Sequence, residues 1–207
     1  MEINRVSSDI FVIDNFYDSP YSMRDIALTC EYLEFKNSNI PGFESVYSFY
    51  NEIYASKFSE IIEKEIYYTP SKLTYGKFRY SLSSSLSNSS MHIDKADWSC
   101  VVYLSLDEDV RGGLGIYAHI ETGLKQVPQN KEDLDKLGFN SLSELDKQIV
   151  YPSTNDFTKW NLLNFIPIKF NRAVIFKGSK YFHAVTEKFG NSIENSRLTH
   201  NFFFNEK

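Results

Sequence analysis

Two of the four histidines in this chain stand where they could hold a metal ion. His92 and Asp94 are separated by one residue, and side chains two apart on an extended chain point to the same face. His183 follows the apolar run Ala173–Phe176 and a short turn. Each position also has a plainer interpretation. His92 could be a loop residue beside a hydrogen-bonding aspartate, and His183 could be a histidine packed in the core or at a sheet edge.

Considered together, the three side chains point to one kind of chemistry. Two histidines and one carboxylate on a β-scaffold form the facial triad that holds non-haem Fe(II) and leaves coordination positions open. Those open positions suit O₂ chemistry, because two can take a chelating cosubstrate and the third can take oxygen. The combination therefore favours an iron-dependent oxygenase site.

The order of short motifs along the chain resembles the 2-oxoglutarate/Fe(II)-dependent dioxygenases, and within them the prolyl-4-hydroxylase-like branch. The motifs that carry this resemblance are His92-x-Asp94, Tyr103-Leu104, Gly112-Gly113, Asn171-Arg172, His183-x-Val185 and Arg197-x-Thr199. A closer likeness is to an uncharacterised family of that superfamily. The features shared with it are Trp98, Tyr117-x-His119, a long insertion and the ending Arg197-Leu-Thr199.

The resemblance implies a role for each matching residue. His92, Asp94 and His183 would bind Fe(II), with 2-oxoglutarate and O₂ as cosubstrates. Arg197 would pair with the distal carboxylate of 2-oxoglutarate, because a planar guanidinium grips a carboxylate with two hydrogen bonds. Thr199 and Tyr103 would assist at the same carboxylate, and with Arg197 they would form the cosubstrate-binding set.

Each member of that set has an alternative in ordinary structure. Arg197 could form a surface ion pair with Glu194 or Glu187. Thr199 and Tyr103 could pack within their strands without touching a ligand.

Further residues are candidates to line the pocket or support the ligands, namely His119, Tyr80, Tyr117 and Trp98. A structural hydrogen bond is the alternative for His119, and core packing is the alternative for Trp98. His200 comes one residue after Thr199, so we expect it to face away from the Arg197 side and to be structural.

The resemblance implies hydroxylation of a small molecule or of an amino-acid or protein side chain, with release of succinate and CO₂. Asp94 favours this outcome, because the related halogenases replace that carboxylate with a small residue. Two other interpretations stay open. One is a jelly-roll protein that binds metal or a ligand without catalysis, and the other is a structural β-protein in which the histidines are incidental.

The apolar pattern predicts an α+β chain that is mainly β. A strand over Ile10–Phe16 precedes a helix that starts at Ser19-Pro20 with apolar positions at Ile26, Ala27, Cys30 and Leu33, and a second helix spans about 51–66. Pro41-Gly42 marks a turn between them. Further strands are expected at Lys72–Leu82, Cys100–Leu106, 112–117, Leu162–Ile168, Ala173–Phe176 and Leu198–Phe204. Many short strands after N-terminal helices indicate a β-sandwich or jelly-roll core.

The resemblance narrows that core to a double-stranded β-helix, or jelly roll, braced by the N-terminal helices. We expect one domain over 1–207, with an N-terminal strand and supporting helices in 1–66 and the jelly-roll core in 67–207. An insertion at 121–164 is polar and partly helical, since Ser141-x-x-Glu144 is a capping box and Gly138 can close the helix before it. The insertion and the serine-rich loop 83–90 are expected to frame the substrate opening.

Composition limits the partners. The 207 residues carry 22 Lys and Arg against 27 Asp and Glu, a net charge of −5, which disfavours binding to nucleic acid. The two cysteines, Cys30 and Cys100, exclude a disulfide framework or a four-cysteine zinc site. No apolar run suits a signal peptide or a membrane span, so we expect a soluble cytoplasmic protein. Its substrate would be a small molecule, peptide or protein; the oligomeric state stays open.

Overall fold

A computed structural model of the chain describes residues 1–35, 42–85 and 90–207. The strands are β1 (Glu2–Ser7), β2 (Ile10–Asp14), β3 (Tyr32–Phe35), β4 (Gly42–Ser45), β5 (Ile66–Tyr67), β6 (Tyr75–Ser81), β7 (Trp98–Tyr103), β8 (Gly113–His119), β9 (Trp160–Pro167), β10 (Ala173–Phe176), β11 (Phe182–Val185) and β12 (Arg197–Glu206). The helices are α1 (Pro20–Thr29), α2 (Glu52–Ile62), α3 (Lys131–Lys136), α4 (Leu142–Leu145) and α5 (Tyr151–Ser153). The chain is thus mainly β with a few helices, as predicted.

The strands form two sheets, and every strand pair in the described ranges is antiparallel. The larger sheet has the order β1-β2-β10-β7-β12-β6-β4-β3, with β5 added beside β12. The smaller sheet has the order β11-β8-β9. His92 extends the smaller sheet, because its backbone pairs with His183 on β11. From β6 to β12 the chain therefore passes repeatedly from one sheet to the other.

Apolar side chains are buried in three layers. One layer lies between the larger sheet and α2, and it includes Phe58, Phe202 and Phe204. A second layer contains residues of both sheets, such as Ile116 and Phe176. The third lies on the opposite face of the smaller sheet, against the segment that joins β8 to β9; its buried members are Met91, Tyr117, Val127, Val150, Trp160, Phe182 and Ala184. Alternate residues of a strand therefore belong to different layers.

The N-terminal helices are shorter than predicted. Pro20 opens α1, but Leu33 lies in β3 and is 61% exposed, so it is not part of a helical stripe. Helix α2 ends at Ile62, where Glu63 adopts the left-handed conformation (φ 58°) and its N–H bonds back to the last turn. Ile53, an apolar residue of the predicted second helix, is 69% exposed. Both helices bury a narrower face than their sequences suggest.

The insertion lies between β8 and β9, so it ends before Trp160 and not at 164 as predicted. Its helices begin and end as the sequence pattern predicts. The Ser141 hydroxyl accepts the Glu144 N–H at 3.2 Å, and Gly138 follows α3 with a φ of +80°. Of the predicted loops, Pro41 and residues 86–89 of the serine-rich segment lie outside the described residues. Within the described ranges, no helix has both the length and the apolar character to cross a bilayer.

A polar clamp joins the end of β2 to the turn before β10. Asp14 accepts two hydrogen bonds from the Arg172 guanidinium, at 2.7 and 3.0 Å. Asn171 adopts a φ of 59°, and its side chain exchanges hydrogen bonds with the Tyr17 backbone at 2.8 and 2.9 Å. The Asn171 carbonyl also accepts the Phe16 N–H at 3.0 Å. Asp14 and the Asn171-Arg172 motif thus hold an N-terminal strand to the core.

Replacing Asp14 with asparagine is expected to lower the free energy of unfolding by about 1–2 kcal/mol at pH 7. The hydrogen bond from Arg172, aided by Lys169, lowers the pKa of Asp14 from 3.8 to about 2 although burial opposes this. A depressed carboxyl pKa contributes stability above pH ~4 that is lost as the pH falls towards 2.

Urea unfolding of the metal-free wild type and of Asp14→Asn tests this. The difference between the two should shrink by about half at pH 3. An equal difference at pH 7 and pH 3 would show that the clamp contributes no pH-dependent stability.

Candidate metal centre

The side chains of His92, Asp94 and His183 meet in the structure. One ligand atom from each lies within 4.8 Å of the other two. His92 Nε2 is 3.7 Å from Asp94 Oδ1, and His183 Nε2 is 3.3 Å from Asp94 Oδ2. Two nitrogen donors and one carboxylate thus converge on one point, which is the donor set that a non-haem iron prefers.

Backbone pairing places the two imidazoles side by side. His92 donates its N–H to the His183 carbonyl at 3.1 Å, and His183 donates to the His92 carbonyl at 2.9 Å. Residues paired directly across an antiparallel ladder point their side chains to the same face. The ring centroids are accordingly 4.3 Å apart. Two residues 91 positions apart in sequence are brought together by strand register.

Both imidazoles are held in the orientation of metal ligands. His92 Nδ1 lies 2.8 Å from the Ser90 carbonyl oxygen, and His183 Nδ1 lies 2.8 Å from that of Tyr181. A carbonyl oxygen only accepts, so each Nδ1 carries a proton and donates it. In the neutral ring Nε2 is then left with its lone pair, which faces the aspartate. Metal-binding histidines characteristically use this arrangement.

The charges of the three groups suit a cation. Burial and the neighbouring His183 lower the pKa of His92 to about 4, so that ring is neutral at pH 7. Burial raises the pKa of Asp94, but the two histidines and Ser99 lower it further, and the carboxyl is ionised. Burial lowers the pKa of His183, yet Asp94 outweighs this and raises it. A cation binding here would compete with a proton for His183 Nε2.

These side chains open into a cavity with about 460 Å³ of space between atoms, part of which is open solvent. It lies between the two sheets. Its lining residues are Arg79, His92, Asp94, Ser99, Val101, Leu114, Phe176, His183, Val185, Arg197, Asn201 and Phe203. The metal-ligand group and the buried Arg197 therefore share one cavity.

Arg197 and Tyr103 lie together, and each has one buried polar atom without a hydrogen bond among the described residues. Arg197 is 8% exposed and Tyr103 is fully buried, with the guanidinium carbon 5.5 Å from the Tyr103 ring. Neither Arg197 Nε nor the Tyr103 hydroxyl makes a hydrogen bond in the described part of the chain, and no carboxylate there forms an ion pair with Arg197. The alternative pairing with Glu194 or Glu187 is not formed.

Burial lowers the pKa of the Arg197 guanidinium and raises that of the Tyr103 phenol, because each charged form loses its water. A buried cation without a counter-charge is unfavourable by itself. An anion in the cavity would satisfy both groups.

Thr199 is engaged by the protein itself. Its hydroxyl donates to the Arg79 carbonyl at 3.3 Å and accepts the Asn201 side-chain N–H at 2.9 Å. It shares a strand face with Arg197, as expected from the period of two. Its hydroxyl is thus used to hold Asn201, which lines the cavity.

Trp98 and Tyr80 lie on the opposite face of the larger sheet from the cavity. Trp98 packs on Phe11 and donates its indole N–H to Glu206 at 2.9 Å. Tyr80 stacks on Phe43 at 4.5 Å. Each is the sequence neighbour of a residue that lines the cavity, Ser99 or Arg79. Because neighbouring side chains of a strand point to opposite faces, Trp98 and Tyr80 point away from the cavity. The structure does not bring either of them to the cavity.

Tyr117 and His119 lie on the far face of the smaller sheet. Tyr117 is buried beside Trp160 in the layer that the insertion covers. His119 is 1% exposed, and its two ring nitrogens contact the hydroxyls of Thr122 at 3.0 Å and Ser153 at 3.2 Å. His119 therefore joins the insertion to β8, and neither residue lines the cavity.

His200 is also away from the metal ligands. Its Nδ1 lies 2.7 Å from the Tyr17 hydroxyl, and its ring is 4.2 Å from that of Phe78. Burial lowers the pKa of His200 to about 3, so it is neutral. It belongs to the layer between the larger sheet and α2.

Several cavity residues were not identified from the sequence. Asn201 and Phe203 lie four and six residues after Arg197 on β12, so their side chains share its face of the sheet. Arg79 lies on β6, directly opposite Thr199 of β12. Ser99 and Gly178 contact Asp94, as described below. The period of two could have identified Asn201 and Phe203 once Arg197 was assigned to the inner face.

The described residues define a mainly antiparallel β protein with a His–Asp–His group able to hold a metal ion. The chain belongs to the family of unknown function DUF6445, whose model matches residues 1–204. No curated protein sequence matches it.

Two solved structures show a distant likeness. One is HygX from Streptomyces hygroscopicus with nickel and 2-oxoglutarate bound, at 10% identity and a TM-score of 0.45 over 95% of this chain and 82% of HygX. The other is IDO from Bacillus thuringiensis, at 14% identity and a TM-score of 0.45 over 96% of this chain and 93% of IDO. At this similarity neither neighbour specifies the chemistry of the present chain.

Proposed function

We propose that the protein is an Fe(II)- and 2-oxoglutarate-dependent oxygenase that hydroxylates a small molecule or an amino-acid or protein side chain. One observation carries the proposal: the His92–Asp94–His183 group lines the same cavity as the buried Arg197, which has no ion pair within the described ranges. A metal-binding group and an anion-binding group in one cavity suit a ligand that chelates at one end and carries a carboxylate at the other.

The donor set fits Fe(II). Two imidazoles and one carboxylate occupy three positions of an octahedral ion and leave three for exogenous ligands. The hydrogen bonds from Nδ1 of His92 and His183 to backbone carbonyls hold both rings in place for metal binding. When bound, Fe(II) with 2-oxoglutarate supplies the O₂-dependent oxidation, and 2-oxoglutarate leaves as succinate and CO₂.

The charge and hydrogen-bond donors in the cavity also suit the dianion 2-oxoglutarate. Arg197 has no counter-charge within the described residues, and the Tyr103 hydroxyl beside it has no acceptor there. A carboxylate bound between them would accept from the guanidinium and from the phenol, which removes the cost of two unsatisfied buried groups. Thr199 supports this region through Asn201.

The strand order supports assignment of the core to a double-stranded β-helix. β6, β12, β7 and β10 are neighbours in one sheet, and a single β-bridge at His92 adds to β11, β8 and β9 in the other. Seven strands and one bridge distributed in this way between two sheets are compatible with a jelly roll. We also propose a single domain, because β2 pairs with β10 and β4 with β6, which ties the N-terminal elements into the core sheet.

Incubation of the purified protein with Fe(II), 2-oxoglutarate and O₂ tests the function. We expect succinate to accumulate slowly even without the substrate, because the cosubstrate site is complete on its own. Asp94→Ala is the control, since it removes the only carboxylate of the metal-ligand group. Equal succinate from the wild type and Asp94→Ala would contradict the proposal. Binding of metal and 2-oxoglutarate without any turnover would instead favour a non-catalytic binding protein.

A further inference from the structure

We propose that Ser99 is a positioning residue that holds Asp94 ready to coordinate the metal through one oxygen; this rests on the proposed metal site. The Ser99 hydroxyl donates to Asp94 Oδ2 at 2.5 Å. Ser99 is fully buried and lines the same cavity as the ligands. A hydrogen bond to an ionised carboxylate is stronger than one between neutral groups, so this contact constrains the carboxylate.

At its position in β7, the hydroxyl of Ser99 is buried and needs a hydrogen-bond partner. It stands between Trp98 and Cys100, on a strand whose six residues are buried or half-buried. Its backbone is already paired across the sheet, opposite Phe176 on β10 and Phe203 on β12. A fully buried hydroxyl requires a hydrogen-bond partner, and Asp94 is that partner.

Gly178 closes the other side of the carboxylate. The Asp94 N–H donates to the Gly178 carbonyl at 3.0 Å. A methyl group at Gly178 would lie 2.5 Å from Asp94 Oδ2 and 2.4 Å from Ser99 Oγ, which is too close for either. Only glycine leaves the space in which Ser99 and Asp94 meet. The carboxylate is therefore fixed between a hydrogen-bond donor and a backbone segment.

The hydrogen bond from Ser99 makes the two carboxylate oxygens unequal. Oδ2 accepts from Ser99 and lies 3.3 Å from His183 Nε2, whereas Oδ1 lies 3.7 Å from His92 Nε2. The hydrogen bond to Oδ2 therefore favours Oδ1 as the single coordinating oxygen. Coordination through a single oxygen keeps three positions of a six-coordinate ion open. Without Ser99, Asp94 is free to rotate, or to bind through both oxygens and fill a position that a chelating cosubstrate requires. Ser99 thus acts on the metal through Asp94.

Co(II) titration followed by visible absorption tests this, because the spectrum reports both the affinity and the coordination of the ion. Ser99→Ala should weaken Co(II) binding by about 10–100-fold, as is usual for loss of a group that orients a ligand, and should change the spectrum at saturation. Ser99→Thr, which keeps the hydroxyl, should retain more of the wild-type spectrum than Ser99→Ala does.

Ser105→Ala is the matched control. Ser105 is also a fully buried serine whose hydroxyl is hydrogen bonded, but its partners are the backbone of Ser196 and Leu198. This variant should lose stability and keep the wild-type Co(II) affinity and spectrum. Wild-type affinity and spectrum in Ser99→Ala, or the same loss of affinity in Ser105→Ala, would overturn the inference. Absence of Co(II) binding by the wild type would refute the proposed metal site itself.

Discussion

Replacing His183 with alanine is expected to abolish stable binding of a divalent metal. His183 supplies one of three donors, and it is the one nearest to the carboxylate, with 3.3 Å between its Nε2 and Asp94 Oδ2. Loss of a residue that merely orients a ligand weakens metal binding about 10–100-fold, and we expect loss of a ligand itself to cost more than about 100-fold. Metal content after dialysis, or an Fe(II) titration without oxygen, measures this.

His119→Ala provides the matched control for that experiment. His119 is equally buried, but its ring contacts the hydroxyls of Thr122 and Ser153 and lies on the far face of the smaller sheet. This variant should retain metal like the wild type even if its stability falls. Full metal retention by His183→Ala would contradict the assignment of the ligands, and metal loss in both variants would indicate a general effect of unfolding.

The second large effect is expected on the affinity for 2-oxoglutarate. Arg197→Met should weaken the binding of 2-oxoglutarate to the metal-loaded protein by about 10²–10⁴-fold, because a buried carboxylate left without its cation costs about 3–5 kcal/mol. Methionine has similar length and no charge, so the cavity keeps its shape. Calorimetric titration of 2-oxoglutarate into protein loaded with Mn(II), which does not turn over, measures the loss.

The same variant should be no less stable than the wild type. Arg197 is a buried cation with Nε unsatisfied in the described structure, and replacing such a group with an apolar residue is often neutral or stabilising. Arg24→Met is the contrast, since Arg24 donates to the Leu104 and Glu194 carbonyls. It should reduce stability and leave 2-oxoglutarate affinity unchanged. If Arg197→Met is less stable than the wild type and binds 2-oxoglutarate with normal affinity, Arg197 does not bind the 2-oxoglutarate carboxylate.

The sequence predicts the mainly β class and the three side chains, His92, Asp94 and His183, that meet at the metal centre. It does not indicate which face of each strand lies toward the cavity. The spacing of His92 and Asp94 places both on one side, and the parity of Arg197 and Thr199 does the same. These inferences need only the local period of two. Trp98 and Tyr80 are candidates to line the pocket, but their side chains point to the opposite face of the larger sheet. Their orientation depends on which face the helices cover, and that is set by long-range pairing.

The contacts of Ser99 and Gly178 with Asp94 could not be predicted from the sequence, because they too depend on long-range strand pairing. Ser99 and Gly178 are far apart in sequence, and only the pairing of β7 with β10 brings the serine and the turn after β10 to the same carboxylate. His119 illustrates the opposite case. Its spacing from Tyr117 matched a family pattern, but its ring is held by residues of the insertion, whose packing the local pattern does not encode.

The proposed function requires that His92, Asp94 and His183 hold a metal to which 2-oxoglutarate binds with the help of Arg197. Calorimetric titration of 2-oxoglutarate into Mn(II)-loaded and metal-free wild type measures this dependence. We expect one 2-oxoglutarate per chain with Mn(II) present and little or no binding without it. Equal binding in the two states, or no binding to the Mn(II)-loaded protein, would contradict it.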